Sequence, residues 1–276
     1  MYRTILVCLD AAERVDRLMD VALPLAARHG AHLVGLHVMP SALADLATEI
    51  SVDYLEATRR AMRHAATALK AAFDERVARD GGVSAEWRCE EPTSPDYARA
   101  VTRHALCADL VVVAQSHTSE WNGGGIVTDV LFETGRPILF VPREGRFAEI
   151  GRYPVVAWNG TREAARAAFD ALPLLAGADL VRVLSIDPHR GGGREGLAPG
   201  DDLAASLARH GLTVETATTY SGEITAGDAL LNHLAEVGAD LLVMGCYGHS
   251  RIREMLFGGV TRKILREMTA PVLMSR

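Results

Sequence analysis

The chain repeats itself, and this constrains its fold more than any single motif does. The segment TILVCLD (4–10) resembles PVVAWNG (154–160), each an apolar strand running into a short polar turn, and HLVGLHVMP (32–40) matches DLVRVLSIDP (179–188). VSAEWRCEEP (83–92) corresponds to VETATTYSG (214–222), ADLVVVAQSH (108–117) to ADLLVMGCYGH (239–249), and RPILFVPR (136–143) to APVLMSR (270–276). Five predicted strands thus recur in one order. Helical periodicity fills the gaps. ERVDRLMDVALPLAARHG and REAARAAFDALPLLAG follow the first strand of each half, and YARAVTRHALC and DALLNHLAEVG precede the fourth, with apolar residues at spacings of three and four. This alternation predicts α/β architecture built from parallel β-α-β units with right-handed crossovers. Runs such as LVVVA and LLVMG suit strands covered on both faces.

The periodicity lapses in PREGRFAEIGRYP (142–154), so the boundary is placed there and two domains are expected, 1–143 and 150–276. The halves differ in one respect. Residues 44–80 read as a long Ala- and Arg-rich helix, whereas the second half carries DPHRGGGREGLAPGDD (187–202) and a shorter helix around 203–210. The glycines of that insertion read as a flexible connection, not as a binding signature.

A formal charge of −6 over 276 residues argues against a general nucleic-acid binder. No apolar run approaches the roughly 20 residues that span a bilayer, and MYRTILVCLDAAE passes into charged sequence without a cleavage pattern. The expectation is a cytoplasmic protein without membrane or nucleic-acid partners. Cys8, Cys89, Cys107 and Cys246 form no CxxC and lie in or beside apolar runs, which reads as reduced, buried thiols.

The stretch GCYGHSRIREMLFGG (245–259) follows the fourth strand of the second half. In open α/β sheets ligands collect beyond the carboxyl ends of the strands. Gly245 and Gly248 would let the backbone turn and approach a ligand without Cβ interference. Gly258 and Gly259 precede a helix whose first amides, through Val260 and Thr261, suit an anion. His249, Arg251, Arg253, Arg262 and Lys263 lie in or beside this loop, and the cations suit phosphate oxygens. A second reading stands beside the first: the glycines serve turns alone, and the charges form a solvated face with Glu254 and Glu267. There is no GxxxxGK[ST], GxSxG or HExxH, and no compact His/Cys cluster, so no metal site is expected. His117 and His249 read as solvent-facing loop residues.

Two tandem repeats, with Gly245, Gly248 and Gly258 at Gly-x2-Gly-x9-Gly spacing, resemble the universal stress protein family in its tandem form over almost the whole sequence. The resemblance implies a five-stranded parallel sheet per repeat, of the Rossmann-like, adenine nucleotide alpha hydrolase-like type. It also implies that the halves associate through their last strands, as separate subunits do in single-repeat members. The Asp that the family places after strand one, for adenine, corresponds to Asp10 in the first half and Asn159 in the second. Asn159 can accept from the exocyclic amine and donate to a ring nitrogen. Asn159-Gly160-Thr161 is equally a helix-start turn. The adenine edge at the end of strand two corresponds to Val38 and Met39, and to Ser185 and Ile186, all also explicable as core. The Ser or Thr that usually follows the third glycine is Gly259 here, and Thr261 and Ser250 lie off the matching place. In the first half Ala114 and His117 replace the first two glycines. Its connection to Gly124 and Gly125 is three residues shorter, and Asp10 reads as a helix cap.

The resemblance therefore implies a stress-response protein whose second repeat binds ATP or AMP as a regulatory ligand, with magnesium entering only with the nucleotide. The alternatives are a nucleotide-independent interaction scaffold with degenerate pockets, or a site for another small anionic metabolite. A homodimer and an unidentified protein partner fit either. Backbone donors and cations leave room for slow ATP hydrolysis, but no residue stands out as a water-positioning base, and none is assigned a catalytic role.

Overall fold

A computed structural model describes residues 1–40, 52–91, 97–115, 130, 131, 133–188, 200–246 and 259–276. They belong to two compact units, Met1–Ala114 with Gly123–Arg136, and Gln115–Asn122 with Pro137–Arg276.

The first unit carries β1 (Thr4–Cys8), α1 (Ala12–His29), β2 (His32–Val38), α2 (Val52–Asp80), β3 (Ala85–Glu90), α3 (Tyr97–Ala105) and β4 (Leu110–Ala114). Its strands are parallel in the order β3-β2-β1-β4. Ile5, Leu6 and Val7 of β1 and Leu110, Val111 and Val112 of β4 are buried, as central parallel strands require. Helix α1 docks through Val15, Leu18, Met19, Ala22, Leu25 and Ala26, the spacing read from the sequence. It ends at Gly30, whose φ of 58° lets the Ala31 N–H return to the Ala26 carbonyl at 2.9 Å. Arg76 of α2 fastens the two helices, donating to Asp16 at 3.0 Å, Asp20 at 2.9 Å and Asp80 at 3.3 Å.

The second unit carries β5 (Ile138–Val141), β6 (Pro154–Ala157), α4 (Arg162–Asp170), α5 (Leu172–Leu175), β7 (Val181–Ile186) and α6 (Asp201–Arg209). It continues with β8 (Val214–Thr219), α7 (Ala226–Glu236), β9 (Leu241–Gly245), α8 (Gly259–Glu267) and β10 (Val272–Ser275). The order is β5-β10-β9-β6-β7-β8. Five of these strands form the expected parallel sheet of one repeat, and β5 joins antiparallel to β10, with Ile138, Leu139 and Phe140 opposite Met274, Leu273 and Val272. The boundary at 142–154 concerns sequence. In space, the last strand of the first repeat goes with the second unit, beside the last strand of the second repeat.

The uninterrupted helix expected after β6 is divided: α4 stops at Asp170 and α5 begins at Leu172, with Pro173 in its first turn. Proline has no N–H to continue the ladder. In α1 the matching Pro24 sits inside one continuous helix. Both repeats share a clasp at the amino ends of their strands. Asp109 accepts the N–H groups of Arg3 at 2.6 Å and Thr4 at 3.0 Å, and Asp240 those of Arg152 at 2.7 Å and Tyr153 at 3.1 Å. The thiols are unpaired, but only Cys8 and Cys246 are buried, and burial pushes each up to about 12. Cys89 lies on the outermost strand of its unit and Cys107 in the turn after α3, and both are exposed, against the expectation of four buried thiols. No described helix is long and apolar enough to cross a membrane.

Candidate functional site

β6 ends before β7 does, and the site begins with that mismatch. The last rung between them is the Trp158 N–H donating to the Leu184 carbonyl at 2.8 Å. β6 then turns away through Gly160, at φ 73°, while β7 runs on, fastened to β8 by the Asp187 N–H and the Thr219 carbonyl at 3.1 Å. Successive residues of a parallel strand address opposite neighbours. Ile186 therefore turns its backbone N–H and carbonyl toward the side that β6 has left, and neither has a partner among the described residues.

The next residue, Asp187, has φ 48°, the only positive φ among described non-glycine residues. Asp tolerates this region better than most. Its carboxylate accepts the Ser221 N–H at 3.0 Å and O–H at 2.5 Å, which ties the end of β7 to the segment after β8. Ser185 is buried, and its Oγ has no hydrogen-bond partner among the described residues. The matching place in the first unit holds His37, whose Nδ1 lies 2.7 Å from the Leu9 carbonyl and whose ring stacks on Trp87. A side chain thus engages the Leu9 carbonyl in the first repeat, and none among the described residues engages the matching Trp158 carbonyl in the second.

Across the gap, Asn159 and Thr161 form the turn that the sequence allows. The Asn159 Oδ1 accepts the Thr161 N–H at 3.2 Å and O–H at 2.8 Å. The Thr161 hydroxyl accepts the Ala164 N–H at 3.3 Å and caps α4. The capping role is thus present. With Oδ1 engaged, the Asn159 Nδ2 is the group left to face a ligand, because it has no partner among the described residues.

Gly245, at the end of β9, is a glycine for the protein's own packing. A Cβ there would lie 2.4 Å from the Ala164 nitrogen and 2.4 Å from the Glu163 carbonyl carbon. That first turn of α4 also buries the Glu163 carboxylate, 2.5 Å from the Arg162 guanidinium. Burial raises the Glu163 carboxyl, but the hydrogen bond from Arg162, the residue's own N–H and the charges of Arg162 and Arg276 outweigh it, leaving the group below its ordinary range. Gly259 opens α8 with nothing within 4 Å of a Cβ position, Val260 is partly exposed, and Thr261 is buried. Lys263, read as a phosphate cation, instead pairs with Asp228 at 2.8 Å and Glu267 at 2.7 Å. Gly248, His249, Ser250, Arg251, Arg253, Glu254 and Gly258 lie outside the described residues. Asn159, Gly160, Ile186 and Gly245 therefore meet at one sheet edge.

The first repeat spends the same positions differently. Asp10 does not cap α1. The N-cap is Ala11 without a side-chain bond, and Asp10 pairs with Arg14 at 2.6 Å. Gln115, which follows Ala114, donates to the Leu265 and Arg266 carbonyls at 2.9 Å each and accepts the Arg143 N–H at 2.9 Å. It closes the last turn of α8. His117, Gly124 and Gly125 lie outside the described residues. The sequence does not mark Trp158, Asp187 or Gln115, because strand-end mismatch, positive φ and a bond across about 150 positions leave no local pattern; the Asp-Pro pair at 187–188 after an apolar run is the one available hint.

A family model described as the universal stress protein family matches residues 1–139 and again 155–276. Among curated relatives, the protein is 35% identical over 83 residues to the universal stress protein YxiE of Bacillus subtilis (strain 168), covering 30% of this sequence and 54% of that one. It is 41% identical over 51 residues to the universal stress protein Slr1230 of Synechocystis, 18% of each. The matched segments thus span about half or less of these relatives' length. The crystal structure of a universal stress protein from Archaeoglobus fulgidus DSM 4304 superimposes with a TM-score of 0.65 at 15% identity, over 98% of this protein and 96% of that one.

Proposed function

The protein belongs to the universal stress protein family, with the family domain present twice, and we propose that its second repeat binds an adenine nucleotide, ATP or AMP, as a regulatory ligand. A member of the family from Archaeoglobus fulgidus has been solved in complex with dAMP. The observation that carries the reading is the open edge at Ile186. Its N–H and carbonyl form a donor–acceptor pair suited to the edge of a purine, and the exposed Asn159, its Oδ1 held by Thr161, keeps its Nδ2 available to donate. The phosphates would run toward Gly245–Gly259 and the amino end of α8, whose orphan amides and dipole favour negative charge. Any magnesium arrives with the nucleotide.

Occupancy then biases the conformation of the protein or the binding of a protein partner, which requires different nucleotide affinities in two conformations. We place the protein in the cytoplasm, where such nucleotides are abundant, and leave room for a homodimer. The rival scaffold reading draws support from Gly245 and Thr161, both explained by packing and capping without a ligand. Two measurements separate them: nucleotide co-purifying with the full-length protein, and calorimetric titration of ATP and AMP into wild type and Gly248→Val. Binding to wild type that the variant loses supports the site; a wild type that binds neither nucleotide overturns it and favours the scaffold.

A further inference from the structure

One aromatic residue stands at the open edge without a structural explanation for its polar atom. Trp158 follows β6 directly, and its backbone N–H makes the last rung to Leu184. Its side chain is partly exposed, and neither its indole N–H nor its backbone carbonyl has a partner among the described residues. An indole placed only to fill a core is normally covered or has its N–H bonded.

Its neighbours are unusual in the same way. By the register Ala157 opposite Leu184, Trp158 stands opposite Ser185, the buried hydroxyl without a partner. Gly200, at the start of α6, comes so close that a Cβ there would lie 2.8 Å from Val183, 3.6 Å from the indole Cδ1 and 3.8 Å from the Ser185 Oγ. Gly200 thus approaches one side of the indole at its Cδ1, and the side chain as a whole stays partly exposed. The first repeat has Leu9 in this place, fully buried, with its carbonyl taken by His37. His37 thus engages the Leu9 carbonyl, whereas Trp158 and Ser185 bring to the second repeat an aromatic ring and polar groups that have no partner among the described residues.

We propose that the Trp158 indole is the stacking wall for the base of the nucleotide, and that it makes the second repeat select a purine base over the sugar phosphate alone. The inference rests on the nucleotide reading given above. A rigid aromatic face held on one side loses little freedom on binding, and base–aromatic stacking is tolerant of which base but needs one. In this arrangement Ile186 reads the edge of the ring and the indole covers its face, with the buried Ser185 hydroxyl opposite Trp158 in the register of β6 and β7.

The test uses the full-length protein. AMP and ribose 5-phosphate are titrated by calorimetry into wild type, Trp158→Leu and Trp158→Tyr, with intrinsic fluorescence followed in wild type and in Trp158→Phe. Trp158→Leu is expected to weaken AMP about tenfold or more while leaving ribose 5-phosphate unchanged. Trp158→Tyr, which keeps an aromatic face, retains most of the AMP affinity. The AMP-dependent fluorescence change is expected to vanish in Trp158→Phe although Trp87 and Trp121 remain. A purely structural indole would lower both affinities together through misfolding and would leave Trp158→Tyr no better than Trp158→Leu. Equal AMP affinity in wild type and Trp158→Leu, or a fluorescence change that persists in Trp158→Phe, overturns this inference alone. A wild type that binds no AMP overturns the nucleotide reading, and the stacking wall with it.

Discussion

A methyl group at Gly245 would sit 2.4 Å from backbone atoms of Glu163 and Ala164, neither of which can rotate away. Gly245→Ala is therefore expected to cost about 1–3 kcal/mol with no ligand present, seen as a lower urea midpoint at unchanged slope. Gly160 differs: nothing lies within 4 Å of its Cβ position and only its φ of 73° demands glycine. Gly160→Ala should cost about 1 kcal/mol, and Gly160→Asn should recover most of it. Glu163 carries the pH dependence of the same corner. Its folded-state pKa lies below its ordinary value of 4.5, so its contribution is complete above that value and is lost as pH falls through the lower folded one. Glu163→Gln is expected to flatten the acid limb of the stability curve; an unchanged limb would mean that the pairing of the buried Glu163 carboxylate with the exposed Arg162 contributes nothing.

Strands and helices were readable because each has a short-range signature, repeated twice. What they pair with was less so. The antiparallel partner of β5 depends on two edges more than a hundred residues apart, and the break between α4 and α5 depends on Pro173 while Pro24 leaves α1 whole. The candidate site divides along the same line. Asn159, Gly160, Ile186 and Gly245 stand at the carboxyl edge named from the sequence, but Gly245 contacts α4, Lys263 pairs within its own helical layer, and Asp10 pairs with Arg14. Residue identity fixed position along the strand and not what each side group meets there. Gln115 makes this testable. Replacing it with Leu strands two carbonyls at the end of α8 and the Arg143 N–H after β5, and a loss of about 2–3 kcal/mol, with faster amide exchange in α8, is the expected result. Unchanged exchange would show that α8 needs no such closure.

At the scale of the molecule, the second unit includes a strand that its own repeat does not encode. A fragment of residues 150–276 lacks β5 and leaves the outer edge of β10 unpaired, which invites strand-to-strand association. It is expected to self-associate in light scattering, and residues 137–276, which retain β5, to do so less. The two repeats also differ as sites. His37 takes the Leu9 carbonyl in the first, whereas the matching Trp158 carbonyl and the Ser185 hydroxyl have no partner among the described residues of the second. The decisive measurement is the stoichiometry of AMP binding to the full-length protein by titration calorimetry. One nucleotide per molecule, lost in Gly248→Val, is the expected result; two per molecule, or none, would contradict a single site at the edge of the second sheet.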